Sequence, residues 1–338
     1  MKYLRLALIP ISLIFLIIIR IREFLYRNGI LKSYSSSVPV ICLGNIRVGG
    51  TGKSQLIITL SNDLISRGYD IAILSRGYKR KTKGFFEVES FDVDRFGDEP
   101  VMIKKNLPQA KVYVSENREY GIKKILSYNK PDFILMDDGL QNFSVKKDFA
   151  IVLIDKSFLS KNIIDKVLIP AGNLREPKSS VKKYDFIIFN RKFDYDYSPK
   201  IDSPNFSYSN YKVKGIFDFD DKEIDINTLK KSKFVAFCGI AQPESFFKIF
   251  ENEGILIVGK RIFPDHHKYT VRDLKILIKF VEKLGCNKLI TTEKDSVRIL
   301  KFKDEFKRAK VFLYYTKIEG IIEDQINLVE KILCLKKK

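Results

Sequence analysis

The sequence predicts an α/β fold: a parallel sheet covered on both faces, a second, smaller α/β domain, and an apolar N-terminal helix. Three observations predict it. A strand-like segment from Val38 to Cys42 runs through a glycine-rich turn into an amphipathic segment from Gln55 to Leu60. Near-continuous apolar strands then recur with helix-like segments between them, the pattern of strands buried on both faces. A polar stretch over 193–231 interrupts the alternation once, and it resumes afterwards. With 338 residues, 45% of them hydrophobic, the chain is long enough for two domains with sizeable cores.

The first element is Leu6 to Ile19, 14 residues without a charge, preceded by Lys2 and Arg5 and followed by Arg20, Arg22 and Arg27. A spanning helix needs about 20 apolar residues, and no small-residue cleavage site follows. Cations at both ends of a short apolar helix predict a monotopic anchor lying on an anionic membrane surface. A helix docked on the protein's own core is the plainer alternative, and a true span the third. The net charge of +20 calls for an anionic partner. Composition alone suits nucleic acid or membrane equally; the N-terminus decides for the membrane.

Next comes Leu43-Gly44-Asn45-Ile46-Arg47-Val48-Gly49-Gly50-Thr51-Gly52-Lys53-Ser54. Strand, glycine-rich turn, helix is the context of a phosphate-binding P-loop, which makes the sheet domain NTPase-like. Gly49, Gly50, Thr51 and Gly52 let backbone N–H groups converge on phosphate, Lys53 reaches the terminal phosphates, and Ser54 offers a hydroxyl to Mg²⁺. Arg47 stands where the strict motif has glycine. The chain is thus expected to bind a nucleoside triphosphate.

Further strands follow at Asp70–Ser75, Lys111–Val114, Asp132–Asp137, Phe149–Ile154 and Tyr184–Phe189, with a helix over 118–127. After the polar stretch, strands are expected at Phe234–Cys238, Ile255–Val258, Lys288–Thr291 and Lys310–Tyr314. The resulting division is an anchor at 1–30, a P-loop domain at 31–195, a linker or ribbon at 196–232, and a second α/β domain at 233–338 that closes over the site.

Four more segments carry possible chemistry. Asp137-Asp138-Gly139-Leu140-Gln141 ends an apolar strand, where an acid holds Mg²⁺ beside a P-loop; a simple Asp-Gly turn is the alternative. Gly97-Asp98-Glu99-Pro100 places two carboxylates in a turn or helix start. Pro170 to Pro177 is a rigid loop whose Arg175 can fork onto phosphate. Phe263-Pro264-Asp265-His266-His267 holds both histidines of the chain; adjacent side chains point apart, which argues against a shared metal, while one imidazole near the cleft can tune a carboxylate. The four cysteines lack paired spacing and read as small buried residues of a reducing compartment.

Taken in order, these motifs, together with Ser75-Arg76-Gly77-Tyr78 and Thr291-Thr292-Glu293-Lys294-Asp295, resemble the tetraacyldisaccharide 4′-kinase family from about residue 1 to Arg298. Departures are Ser54-Gln55 for the usual Thr-Pro, Lys79 where glycine is common, and Asn173 where proline is common. The resemblance implies transfer of the γ-phosphate of ATP to the 4′-hydroxyl of a tetraacylated disaccharide 1-phosphate, giving lipid IVA at the cytoplasmic face of the inner membrane. It also implies roles: Lys53 and the loop amides hold phosphate, and Ser54, Asp138, Glu99 and Gln141 arrange Mg²⁺. Arg175 steadies transferring charge, and Asp98 is the base, helped by His266. A monomer acting without nucleic acid is expected. The competing readings are a membrane-cycling P-loop ATPase, disfavoured by Val48 where such proteins carry lysine, and a nucleic-acid-dependent NTPase, which no motif supports.

Overall fold

Residues 5–337 are described by a computed structural model; Lys2, expected to flank the anchor, and Lys338, expected to end the second domain, lie outside them. Helix α1 spans Ile9–Arg27, with Pro10 in its first turn, where a missing N–H costs nothing. It runs eight residues past the apolar stretch that predicts it and takes in Arg20, Arg22 and Arg27. Its orientation is the reverse of a core helix. Ser12 and Glu23 are buried (3% and 8% exposed), whereas Ile14, Ile17, Ile18 and Phe24 are each more than half exposed. Among the described residues no helix is long and apolar enough to cross a membrane.

The chain divides into two units: 1–90 with 94–210 and 320–338, and 91–93 with 211–319. In the first, β1 (Val40–Asn45) leads through the glycine turn into α2 (Lys53–Ser66), and β2 (Ile71–Ser75) follows. Then come β3 (Phe86–Glu87), α3 (Asp98–Asn106), β4 (Lys111–Val114), α4 (Arg118–Tyr128), β5 (Phe133–Asp137), β6 (Phe149–Asp155), β7 (Phe186–Lys192) and β8 (Phe206–Asp218). The strands order β8-β7-β6-β1-β5-β2-β4-β3. All these pairs are parallel except β3 on β4. β1 and β5 are fully buried, as strands covered on both faces must be. Their core joins Val40, Cys42, Met136, Val152 and Phe189.

The segment expected to be a linker or ribbon holds a strand. β8 alternates buried and half-buried positions over 206–209 and is buried through 211, and its polar serines, asparagine and tyrosines hide the strand from a search for apolar runs. In the second unit the outer part of β8 pairs antiparallel with β9 (Glu223–Ile224). There β10 (Lys233–Cys238) lies between β11 (Leu256–Ile262) and β12 (Lys288–Thr292), which pairs with β13 (Phe312–Ile322), all parallel. Helices α5 (Pro243–Glu253), α6 (Val271–Lys283) and α7 (Glu293–Ile299) complete it. A cluster of Phe237, Phe263, Tyr269, Leu277 and Tyr315 forms its core.

β13 returns the chain to the first unit, where α8 (Gln325–Leu333) buries Leu328, Val329 and Ile332. Thr59 of α2 donates to the Gly320 carbonyl at 2.7 Å. The last residues thus belong with the P-loop unit, whereas the sequence division groups everything after 233 together. The amphipathic pattern of α8 names a buried face without naming the surface that covers it.

Candidate active site

Parallel sheets place ligand sites at the carboxyl ends of their strands, and here β1, β2 and β5 end together. The register pairs Leu43 with Asp137, so the acid at the end of β5 stands beside the root of the glycine loop. Gly49 (φ +114°) and Gly52 (φ +99°) take left-handed conformations that a side chain would strain, and they turn the loop into the start of α2. Asn45 fastens the loop from beneath, donating to Thr51 Oγ1 at 2.9 Å. Asn190 donates to the Thr51 carbonyl at 2.8 Å.

Arg47, which replaces a motif glycine, turns aside. Its guanidinium pairs with Asp155 at 3.4 Å and Asp165 at 3.2 Å. Its neighbours bond to the 168–177 loop: Val48 N–H donates to the Asn173 carbonyl and Arg175 N–H to the Ile46 carbonyl, both at 2.7 Å. Lys79 sits at φ +61°, which explains why glycine suits that position.

At the head of α2, Lys53 Nζ lies 3.5 Å from Asp138 Oδ1, while Arg175 Nη1 donates to Asp138 Oδ2 at 2.9 Å. Asp138 itself sits at φ +50°, a conformation aspartate tolerates better than most residues. The flanking lysine and arginine outweigh burial and hold its carboxyl below the usual range.

Asp137 is different. It is buried, Ser75 Oγ donates to its Oδ2 at 3.1 Å, and Oδ1 has no hydrogen-bond partner. Burial and the neighbouring Glu99 carboxylate push its carboxyl up to about 7, against the pull of Lys53. Beneath it, the buried Arg118 donates to the carbonyls of Asp137 and Leu74, a residue that no motif announces. Asp137 Oδ1 and Asp138 Oδ1 are both buried without a hydrogen bond, and with Glu99 and the Ser54 hydroxyl in the first turn of α2 the available donors are all oxygens, a chemistry that suits Mg²⁺. Among the described residues no three His, Cys, Asp or Glu side chains cluster as a metal cage. Mg²⁺ is commonly held by one or two carboxylates plus substrate phosphates. The resemblance puts Asp138 on the metal; in the structure Asp138 lies between Lys53 and Arg175, and Asp137 is the carboxylate on which Glu99 acts.

Gln141, expected in the metal set, is held through its amide nitrogen. Its Nε2 donates to the Asn45 carbonyl at 2.9 Å and to Glu176 Oε1 at 2.7 Å. Glu176, which the sequence reading passed over, also accepts from Tyr184 and pairs with Lys183. Asp98 and Glu99 open α3. Gly97 (φ +92°) brings the helix start against Gly77 and Tyr78, so close that a Cβ at 97 would lie 3.2 Å from their backbone. Asp98 is buried, and its Oδ1 accepts the Glu99 N–H at 3.0 Å.

His266 belongs to the second unit. It sits at φ +56°, and Arg298 Nη2 donates to its Nδ1 at 3.2 Å, which leaves the imidazole proton on Nε2. Arg298 is anchored by the buried Asp295, which also accepts from Tyr269 and Thr292. His267 is built into the fold: it stacks on Phe263 and lies 3.1 Å from Asp273, the acid of the α6 capping box.

Comparison with known proteins matches residues 4–335 to the family model described as tetraacyldisaccharide-1-P 4′-kinase. A tetraacyldisaccharide 4′-kinase of Flavobacterium psychrophilum is 38% identical over 317 residues, 88% of each chain. Another from Actinobacillus succinogenes is 33% identical, covering 87% of this chain and 86% of the relative. Among solved structures, the LpxK of Aquifex aeolicus in complex with ATP superposes with a TM-score of 0.79 at 29% identity, covering 98% of both chains.

Proposed function

This chain belongs to the tetraacyldisaccharide-1-P 4′-kinase family, and on that premise we propose how its residues move the γ-phosphate of ATP to the 4′-hydroxyl of a tetraacylated disaccharide 1-phosphate. It is a kinase of lipid A biosynthesis. The observation that carries the residue assignment is the convergence of Lys53, Asp137, Asp138 and Arg175 where β1 and β5 end.

Lys53 and the amides of Gly49, Gly50, Thr51 and Gly52 receive the phosphates, and the start of α2 adds a favourable dipole. Asp137, Glu99 and Ser54 would hold Mg²⁺, which neutralises β- and γ-phosphate charge when bound. Asp138 sits between Lys53 and Arg175, so it keeps both cations aimed at the place where the phosphoryl group passes. The acceptor oxygen forms a bond to the γ-phosphorus as the bond to the β-phosphate oxygen breaks, and the hydroxyl proton goes to Asp98. Such a reaction needs positioning and charge neutralisation more than covalent help. His266 assists Asp98 in this reading, and the Arg298 bond to Nδ1 supports it by fixing the imidazole tautomer.

The enzyme acts as a monomer at the cytoplasmic face of the inner membrane. Helix α1 lies in the bilayer surface with its exposed isoleucines among acyl chains and its arginines on anionic headgroups. The positive charge serves that surface and not nucleic acid. Labelled phosphate from ATP, given to the full-length protein with the lipid disaccharide in detergent micelles, tests the reading. Label on the lipid, abolished by Lys53→Ala, is expected; label released as free phosphate means an ATPase and overturns it.

A further inference from the structure

We propose that α1 is a working part of the phosphate site as well as an anchor, with Glu23 and Ser12 as positioning residues. The proposal rests on the kinase reading only in taking the glycine loop as the ATP site. Two polar routes join the buried face of α1 to that loop, both within the first unit. At the C-terminal end of the helix, Lys183 Nζ lies 3.1 Å from Glu23 Oε1 and 2.8 Å from Glu176 Oε2. Glu176 accepts from Gln141 at 2.7 Å, Gln141 donates to the Asn45 carbonyl at 2.9 Å, and Asn45 holds Thr51 Oγ1 at 2.9 Å. At the N-terminal end, Ser12 Oγ donates to the Leu168 carbonyl at 2.9 Å and accepts the Ala171 N–H at 3.1 Å. That same loop continues to Asn173 and Arg175, whose backbones bond to Val48 and Ile46 at the root of the glycine turn.

The seating of α1 explains why these routes carry load. A helix held by hydrophobic burial turns its isoleucines inward. This one turns inward a serine and a carboxylate and leaves the apolar face out. Polar bonds therefore set its orientation, and a buried carboxylate deprived of its partner is costly. The groups that hold the helix are the ones that hold Arg175 and the glycine loop. A change at Glu23 is thereby felt at the loop, through a contiguous chain of side chains.

Full-length protein in detergent micelles tests this, with ATP affinity measured by calorimetry in the absence of lipid substrate. Glu23→Gln should weaken ATP binding by about 3- to 20-fold, with the KM for the lipid disaccharide and co-sedimentation with anionic vesicles unchanged. Ser12→Ala, which removes a single hydroxyl, should weaken ATP in the same way and keeps the test open where the Glu23 variant fails to fold. Adding Lys183→Met to Glu23→Gln should bring no loss beyond the larger single effect, because both cut one route. ATP affinity equal to that of the native protein in both variants, or a loss confined to vesicle binding, overturns the proposal. Absence of phosphate transfer to lipid by the unsubstituted protein sinks the kinase reading instead, while the affinity comparison still decides this one.

Discussion

Lys53, Asp137 and Asp138 show how neighbouring residues of similar chemistry take opposite roles. Lys53 is mostly buried at its tip yet faces Asp138 and not the core. Lys53→Ala should therefore cut turnover by about 100-fold or more with little change in thermal melting, checked by rate and Tm together; near-native turnover removes the phosphate-site assignment. For Asp137 the sign follows from its raised carboxyl. The folded state holds that proton to higher pH than the unfolded chain, so the contribution to stability is present at low pH and is lost as pH rises from the ordinary aspartate range to about 7. Asp137→Asn should raise the melting temperature at pH 8 by about 2 °C or more and flatten that dependence, while abolishing Mg²⁺-dependent ATP binding. Asp138→Asn, which leaves Lys53 and Arg175 uncompensated, should lower the melting temperature instead. The same melting response from both variants contradicts the division of labour.

Helix α1 is the element on which the proposed membrane attachment is tested. Its apolar residues make a face that is exposed among the described residues. Replacing Ile14, Ile17 and Ile18 together with serine should reduce partition to anionic vesicles by about 10-fold or more, since each buried side chain contributes on the order of 1.5–3 kcal/mol. Residual binding should fall further with salt, because exposed arginines are screened within about 8 Å at physiological ionic strength. Co-sedimentation equal to that of the native chain means the exposed face meets something other than a bilayer. The 168–177 loop, bonded to both α1 and the glycine turn, explains why Asn173 is tolerated where proline is common: its side chain is used, by Arg5 at 3.2 Å and Asp165 at 3.2 Å.

At the scale of the whole molecule, the proposed catalytic pair joins residues far apart in sequence, Asp98 and His266. Asp98→Ala and His266→Ala should each lower turnover strongly and leave ATP affinity near native. Residues that act as one lose their joint effect once, so the double variant should be little worse than the worse single. Fully multiplicative rates, or a larger defect from His267→Ala, refute the pairing. His267→Ala should act mainly on stability, since that ring is stacked on Phe263 and tied to the α6 cap.

The strand–glycine–helix unit, the buried parallel strands, the short charged-flanked N-terminal helix and the family resemblance are all legible in the residues alone. These follow from local spacing: φ-permissive glycines, apolar runs and a lysine at a helix start act within a few residues of one another. Only the tertiary structure decided the opposite electrostatics of Asp137 and Asp138, because burial and the influence of Glu99 depend on strand register and on the packing of Gly97 against Gly77. It alone turned Gln141 toward Glu176, brought Arg118 under the strand end, and set Arg47 against Asp155 and Asp165, partners more than a hundred residues away. It also found the polar strand β8 and assigned α8 to the first unit, where periodicity names a face without naming its cover. Charge pairing and desolvation are properties of what lies nearby in space, and local sequence does not carry that distance.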